Sequence, residues 1–136
     1  MLSPGFKSLG QFTITTAGTQ VGDWVEDLEG LLALAAQLRL AYGSGGTSIK
    51  AYLQTSLDQG ATAIDIACAA FGTAGKVACF NLSALTPRLT QLVPTDGALA
   101  DDTALDGVLG DRFRLKIVST GTYAGSTLLG GGMVAR

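Results

Sequence analysis

The chain has 136 residues, 47% hydrophobic and 15% charged, which is the length of one domain and too apolar for a disordered segment. Its formal net charge of −2 leaves no electrostatic footprint for nucleic acid, and it contains no histidine. The usual general base near neutral pH, the commonest metal ligand and every Ser-His or Cys-His dyad are therefore missing, and the reading is of a non-enzyme with no catalytic, cofactor or metal site.

The chain opens Met1-Leu-Ser-Pro-Gly-Phe-Lys7, with neither a basic stretch nor an apolar core of the kind that directs secretion. No apolar run reaches the roughly 18–20 residues of a membrane helix. The expectation is a chain made in the cytoplasm with reduced thiols and no membrane partner. Pro4 and Gly5 mark residues 1–9 as a flexible arm, followed by a single domain over 10–136.

Gln11 to Thr16 alternates and predicts a first strand, and Gly18 to Gly22 predicts a turn. Between Asp23 and Tyr42 two patterns compete. Trp24, Val25, Leu28, Leu31, Leu32 and Ala35 fit an amphipathic helix, whereas Leu34, Ala36, Leu38, Leu40 and Tyr42 fit a strand. Gly30 would weaken a helix at its middle, so the segment divides into a turn or short helical piece over Glu26–Gly30 and a strand over Leu31–Tyr42. Gly43-Ser-Gly-Gly46 is a turn and not a phosphate cradle, because a strand follows it where a helix N-terminus is needed.

Residues 47–67 carry the clearest pattern. Ile49, Ala51, Leu53 and Thr55 share one side, and Lys50, Tyr52 and Gln54 the other. After Asp58-Gln59-Gly60, Ile64 and Ile66 lie opposite Asp65. This predicts an antiparallel hairpin with one buried face. Strands follow over Ala63–Phe71 and Lys76–Leu82, with a weaker one over Arg88–Val93. Cys68 and Cys79 lie on consecutive strands; both read as inward apolar residues, and a cross-strand disulfide is the alternative. In Arg112-Phe-Arg-Leu-Lys-Ile-Val118, Phe113, Leu115 and Ile117 point inward and Arg112, Arg114 and Lys116 outward. A last strand runs over Ser126–Val134. The sum is an all-β fold, an antiparallel β-sandwich of jelly-roll type with seven or eight strands.

Four clusters bear on chemistry. Asp96, Asp101, Asp102, Asp106 and Asp111 crowd the segment 94–111; they read as turn residues, with an oxygen-rich calcium loop as the alternative, although the spacing is not that of an EF-hand. The row Arg112, Arg114, Lys116 is a solvated face or charge-blunted edge, or else a docking stripe for an acidic surface. Trp24, Tyr42 and Tyr52 would make a sugar-stacking platform only if they shared a surface. Asn81-Leu82-Ser83 fits a glycosylation acceptor without a secretion signal to accompany it.

The string Gly45-Gly-Thr-Ser-Ile-Lys-Ala-Tyr-Leu-Gln-Thr-Ser-Leu-Asp-Gln-Gly-Ala-Thr-Ala-Ile-Asp-Ile-Ala67 resembles small structural proteins of tailed bacteriophages. Thr95–Arg112 and Ser119–Gly125 are similar to the same group, and the resemblance spans roughly Leu28 to the C-terminus. Members often carry Asp-Gly-Gly and a tryptophan in the hairpin, where this chain has Gln59 and Ala63. The resemblance implies a capsid decoration (cement) protein on the virion surface. It would be a sandwich seated at contacts between major capsid protein subunits and self-associating as a homotrimer around local three-fold axes, with residues 1–9 as a clip. A head–tail connector, tail or baseplate protein and a carbohydrate-binding module are the other readings.

Overall fold

Alternation decides the fold strand by strand. In β3 (Ala33–Ala41), Leu34, Ala36, Leu38 and Leu40 are buried while Ala35, Gln37, Arg39 and Ala41 are exposed. Successive side chains of a strand point to opposite faces, so one row joins the core and the other meets solvent. In the computed structural model, which describes residues 3–136, ten further strands flank β3. They are β1 (Gly5–Thr13), β2 (Gly18–Val21), β4 (Ser44–Gly45), β5 (Ser48–Thr55), β6 (Ile64–Phe71), β7 (Lys76–Ser83), β8 (Thr103–Ala104), β9 (Phe113–Thr120), β10 (Tyr123–Ala124) and β11 (Leu128–Ala135). Among the described residues there is no helix, and so none long and apolar enough to cross a membrane.

The strands form a four-stranded sheet in the order β1-β11-β3-β7 and a five-stranded sheet in the order β2-β9-β5-β6-β8, with β10 and β4 as a two-stranded ribbon. All pairings are antiparallel. The all-β, sandwich-like architecture is the one expected, with eleven strands where seven or eight were predicted. The surplus is in short pairings of two to four residues: β2, β4, β8 and β10 form inside segments that read as turns or loop. One hydrophobic core fills the space between the sheets, with Leu34, Leu38 and Leu40 from the first and Ile49, Leu53, Phe113, Leu115 and Ile117 from the second. Gly131 of β11 marks how closely the layers approach, because a Cβ there would sit 2.7 Å from Leu38 Cδ2 and 2.8 Å from Leu115 Cδ1.

Two expectations need correction, and one that left two alternatives open is decided. The arm predicted over residues 1–9 is strand from Gly5 onward, paired with β11 from Gly5↔Ala135 to Thr13↔Leu128. Met1 and Leu2 lie outside the described residues. Its alternation is hidden by a bulge between Ser8 and Gly10, and the partner strand supplies the order that local propensity lacks. Of the turn or short helical piece expected over Glu26–Gly30, the turn is what forms, with Asp27 and Gly30 at φ of 62° and 91°, which no helix contains. The strand predicted at Arg88–Val93 is absent: this segment is irregular, with Leu89 and Val93 exposed.

Candidate functional site

Within the five-stranded sheet the β5–β6 hairpin is buried on both faces, contrary to the one-faced hairpin expected from the sequence. Tyr52, Gln54 and Asp65 are 4%, 0% and 1% exposed, although their rows point away from the core. The cover is the segment 94–104, and Asp65 holds it. Its carboxylate accepts N–H bonds from Gly97, at 2.8 and 3.0 Å to the two oxygens, and from Ala98 and Leu99 at 2.9 and 3.2 Å. The Thr95 hydroxyl and the Gln54 side-chain amide each donate at 2.9 Å. Successive backbone amides turned toward one point form an anion-holding concavity, and here the anion is the protein's own carboxylate.

Gln54 extends the network. Its amide also donates to Asp96 at 2.7 Å, and its carbonyl oxygen accepts from Arg114 Nε at 2.9 Å. Lys116 Nζ reaches Asp96 at 3.0 Å, and the Arg114 guanidinium lies 4.3 Å from the centre of the Trp24 ring. Arg112 bonds Asp111 and Glu26. The row Arg112, Arg114, Lys116 is therefore neither a solvated face nor an edge: β9 is an inner strand, and the row is covered by acidic and aromatic groups.

The five aspartates of 94–111 are distributed, not convergent. Asp96 pairs with Lys116, Asp101 with Lys50, Asp102 with Lys76 and Asp111 with Arg112, while Asp106 accepts from the Ser83 N–H and the Thr86 hydroxyl. Among the described residues no group of three acidic or cysteine side chains is placed to hold a metal ion. The Gln54 and Lys116 bonds hold the Asp96 carboxyl below the usual carboxylate range. Ser83 and Thr86 do the same for Asp106, and Arg112 for Asp111. Carboxyls depressed in the folded state stabilise it above their ordinary pKa and lose that contribution as pH falls through their folded values. Melting temperature is thus expected to be level at mildly acid pH and to fall below about pH 4; a protein equally stable well below that pH would contradict these contacts.

Cys68 and Cys79 are both free, with Cys68 buried and Cys79 exposed. They stand in different sheets, since consecutive β6 and β7 are not paired. The expectation that both face the core fails for a specific reason. Leu53 pairs with Ala67 but Gln54 with Asp65, so Ile66 is an extra residue, and the strand changes parity there. Cys68 consequently lies opposite Tyr52, under the acidic segment, where burial pushes its thiol up to about 11. One thiol, Cys79, is expected to react with a maleimide in the native protein and the second only on unfolding; two fast thiols would contradict the placement.

The three aromatic residues do not share a surface. Tyr52 is buried, Trp24 lies against Arg114, and Tyr42 packs edge-on to Tyr123 with centroids 6.2 Å apart. Asn81 is exposed on β7, and Gly43–Gly46 contributes β4 to a ribbon with β10.

What remains open is the outer face of the four-stranded sheet. Across β1, β11 and β3 runs a shallow groove of about 610 Å³ lined by Phe6, Gln11, Ala35, Gln37, Arg39, Ala41, Gly130, Gly132 and Val134 among others, with Arg39 the sole charge among the described residues that line it. The glycines shape it: a Cβ on Gly132 would collide with the Phe6 ring and one on Gly130 would press on Gln11 Cγ at 3.4 Å, so both β1 side chains lie low across β11. Sequence reading missed this face because it treats exposed Ala and Gly as filler. Comparison with family models, curated proteins and solved structures finds no match to this chain.

Proposed function

We propose that this chain is a structural protein of a tailed-bacteriophage virion that decorates the capsid surface and stabilises contacts between major capsid protein subunits. The observation that carries this reading is the open outer face of the four-stranded sheet, a broad surface of small, nearly uncharged side chains on a rigid scaffold. Such a face suits docking on a larger protein better than capture of a small molecule, which calls for a concave site with a few convergent polar groups. The resemblance at residues 45–67, 95–112 and 119–125 supports the same reading.

The test is co-sedimentation of the purified chain with undecorated shells from the phage whose genome encodes it. The native chain is expected to pellet with shells, and Ala35→Glu with Ala41→Glu, which adds charge to the exposed row of β3, is expected to remain in the supernatant while melting normally. A native chain that stays in the supernatant, or a charged variant that pellets equally well, would contradict the proposal. The head–tail connector, tail or baseplate reading predicts the first of those results.

A further inference from the structure

We infer that β7 is a pairing edge for a second copy of this chain, with the two β7 strands antiparallel about a two-fold axis at Cys79. The Ala84 N–H reaches Leu32 O on the β3 side, whereas the Ser83 N–H points the other way, to Asp106. Ladder groups alternate along a strand, so the backbones of Val77, Cys79 and Asn81 present their N–H and C=O groups away from β3. Among the described residues nothing meets them.

The opposite sheet shows how this fold closes an edge when it does. Along β6 the Asp65 N–H bonds Thr95 O, Ala67 and Cys68 pair with β8, Leu105 N–H bonds Ile66 O, and Ala70 N–H bonds Asp102. Among the described residues β7 has no such cover from Val77 to Asn81; Asp106 meets only the Ser83 N–H at its end. Nor does β7 carry the devices that keep an edge unpaired: its register with β3 is continuous, it has no proline, and no charge lies between Val77 and Ser83. Lys76, at its start, turns back to Ala70 O and Asp102 and leaves the edge clear.

The sequence of the edge selects a second copy as its occupant. In an antiparallel register with Cys79 opposite Cys79 of the other copy, Val77 faces Asn81 and Asn81 faces Val77. All three free residues are then used in both chains, and no charges oppose one another. The half-buried Ala78 and Phe80 on the inner side gain apolar neighbours. Leu85, 74% exposed in the segment leaving β7, falls at the level of the other copy's Gly72–Gly75 turn. The result is one eight-stranded sheet across two copies, doubling the open outer face. It is a two-fold contact, separate from the three-fold arrangement that the phage resemblance implies, and it does not depend on the capsid reading.

The Cys79 pair sits at a hydrogen-bonded position, where Cα atoms are about 5.5 Å apart, so a short bis-maleimide spans the two thiols. Sedimentation equilibrium from micromolar to millimolar chain, with crosslinking in parallel, tests the pairing. The expected results are twice the monomer mass, a crosslinked dimer that Cys79→Ser abolishes, and a return to monomer mass in Cys79→Lys with an unchanged circular-dichroism spectrum. In the Cys79→Ser background, Val77→Cys chains mixed with Asn81→Cys chains should crosslink, and Val77→Cys chains alone should not. Monomer mass throughout, or an oligomer that Cys79→Lys leaves intact, overturns the inference.

Discussion

Replacing Asp65 with alanine is expected to destabilise the protein by about 3–5 kcal/mol, because several buried donors lose a charged acceptor at once and a hydrogen bond to a charged group contributes about 1.5–3 kcal/mol. Asp65 is 1% exposed, and its two oxygens take N–H bonds from Gly97, Ala98 and Leu99 together with the Thr95 hydroxyl and the Gln54 amide. Alanine strands all of these donors beneath the segment they belong to, and each unsatisfied buried group costs about 1–3 kcal/mol unless water reaches it. The segment should lift, so protease cleavage within 94–104 is expected to quicken in Asp65→Ala while the core strands stay protected. Asp65→Asn keeps one oxygen but turns an NH₂ toward amide donors, and its loss should fall between zero and that of Asp65→Ala. Urea denaturation measures the effect. A change under about 1 kcal/mol in Asp65→Ala, the net worth of one ordinary hydrogen bond, would mean that segment 94–104 is held by its surface ion pairs instead.

Gly131→Ala is expected to cost about 2 kcal/mol, and Gly131→Val more, through overpacking. Gly131 is not among the positive-φ glycines, so its lack of a side chain serves space and not backbone conformation. The added methyl meets Leu38 on one sheet and Leu115 on the other, both 0% exposed. The neighbouring Gly130 is the control. Its Cβ would point outward at the flexible Gln11 side chain, and Gly130→Ala should be close to neutral. Equal effects at the two positions would contradict the close approach of the sheets at Leu38 and Leu115.

These two positions also mark what the sequence could and could not reveal. The inward rows of β3 and β9 were legible because alternation there is unbroken and each strand has one apolar face. Asp65 and Gln54 were not, because a polar residue opposite an apolar row reads as solvent-facing, and only the tertiary cover of 94–104 makes it buried. A signal did exist: five aspartates with no basic residue among them in segment 94–111, against Arg114, Lys116, Lys50 and Lys76 on strands, is a charge complementarity between distant parts of the chain. The bulge at Ile66 misled more thoroughly. One inserted residue flips every later side chain of a strand, so Cys68 was assigned to the wrong face from an otherwise sound alternation. β1 was hidden because Pro4, Gly5 and Gly10 punctuate it and its order comes from β11.

The decoration proposal is tested most directly by the copy number of this chain in purified particles, measured by quantitative mass spectrometry against the major capsid protein. Repetition over a capsid lattice predicts on the order of hundreds of copies per particle, near-stoichiometric with the capsid subunit. A ring-sized count of about six to twelve would place the chain at the head–tail connection or tail, and its absence from particles would contradict the virion assignment altogether.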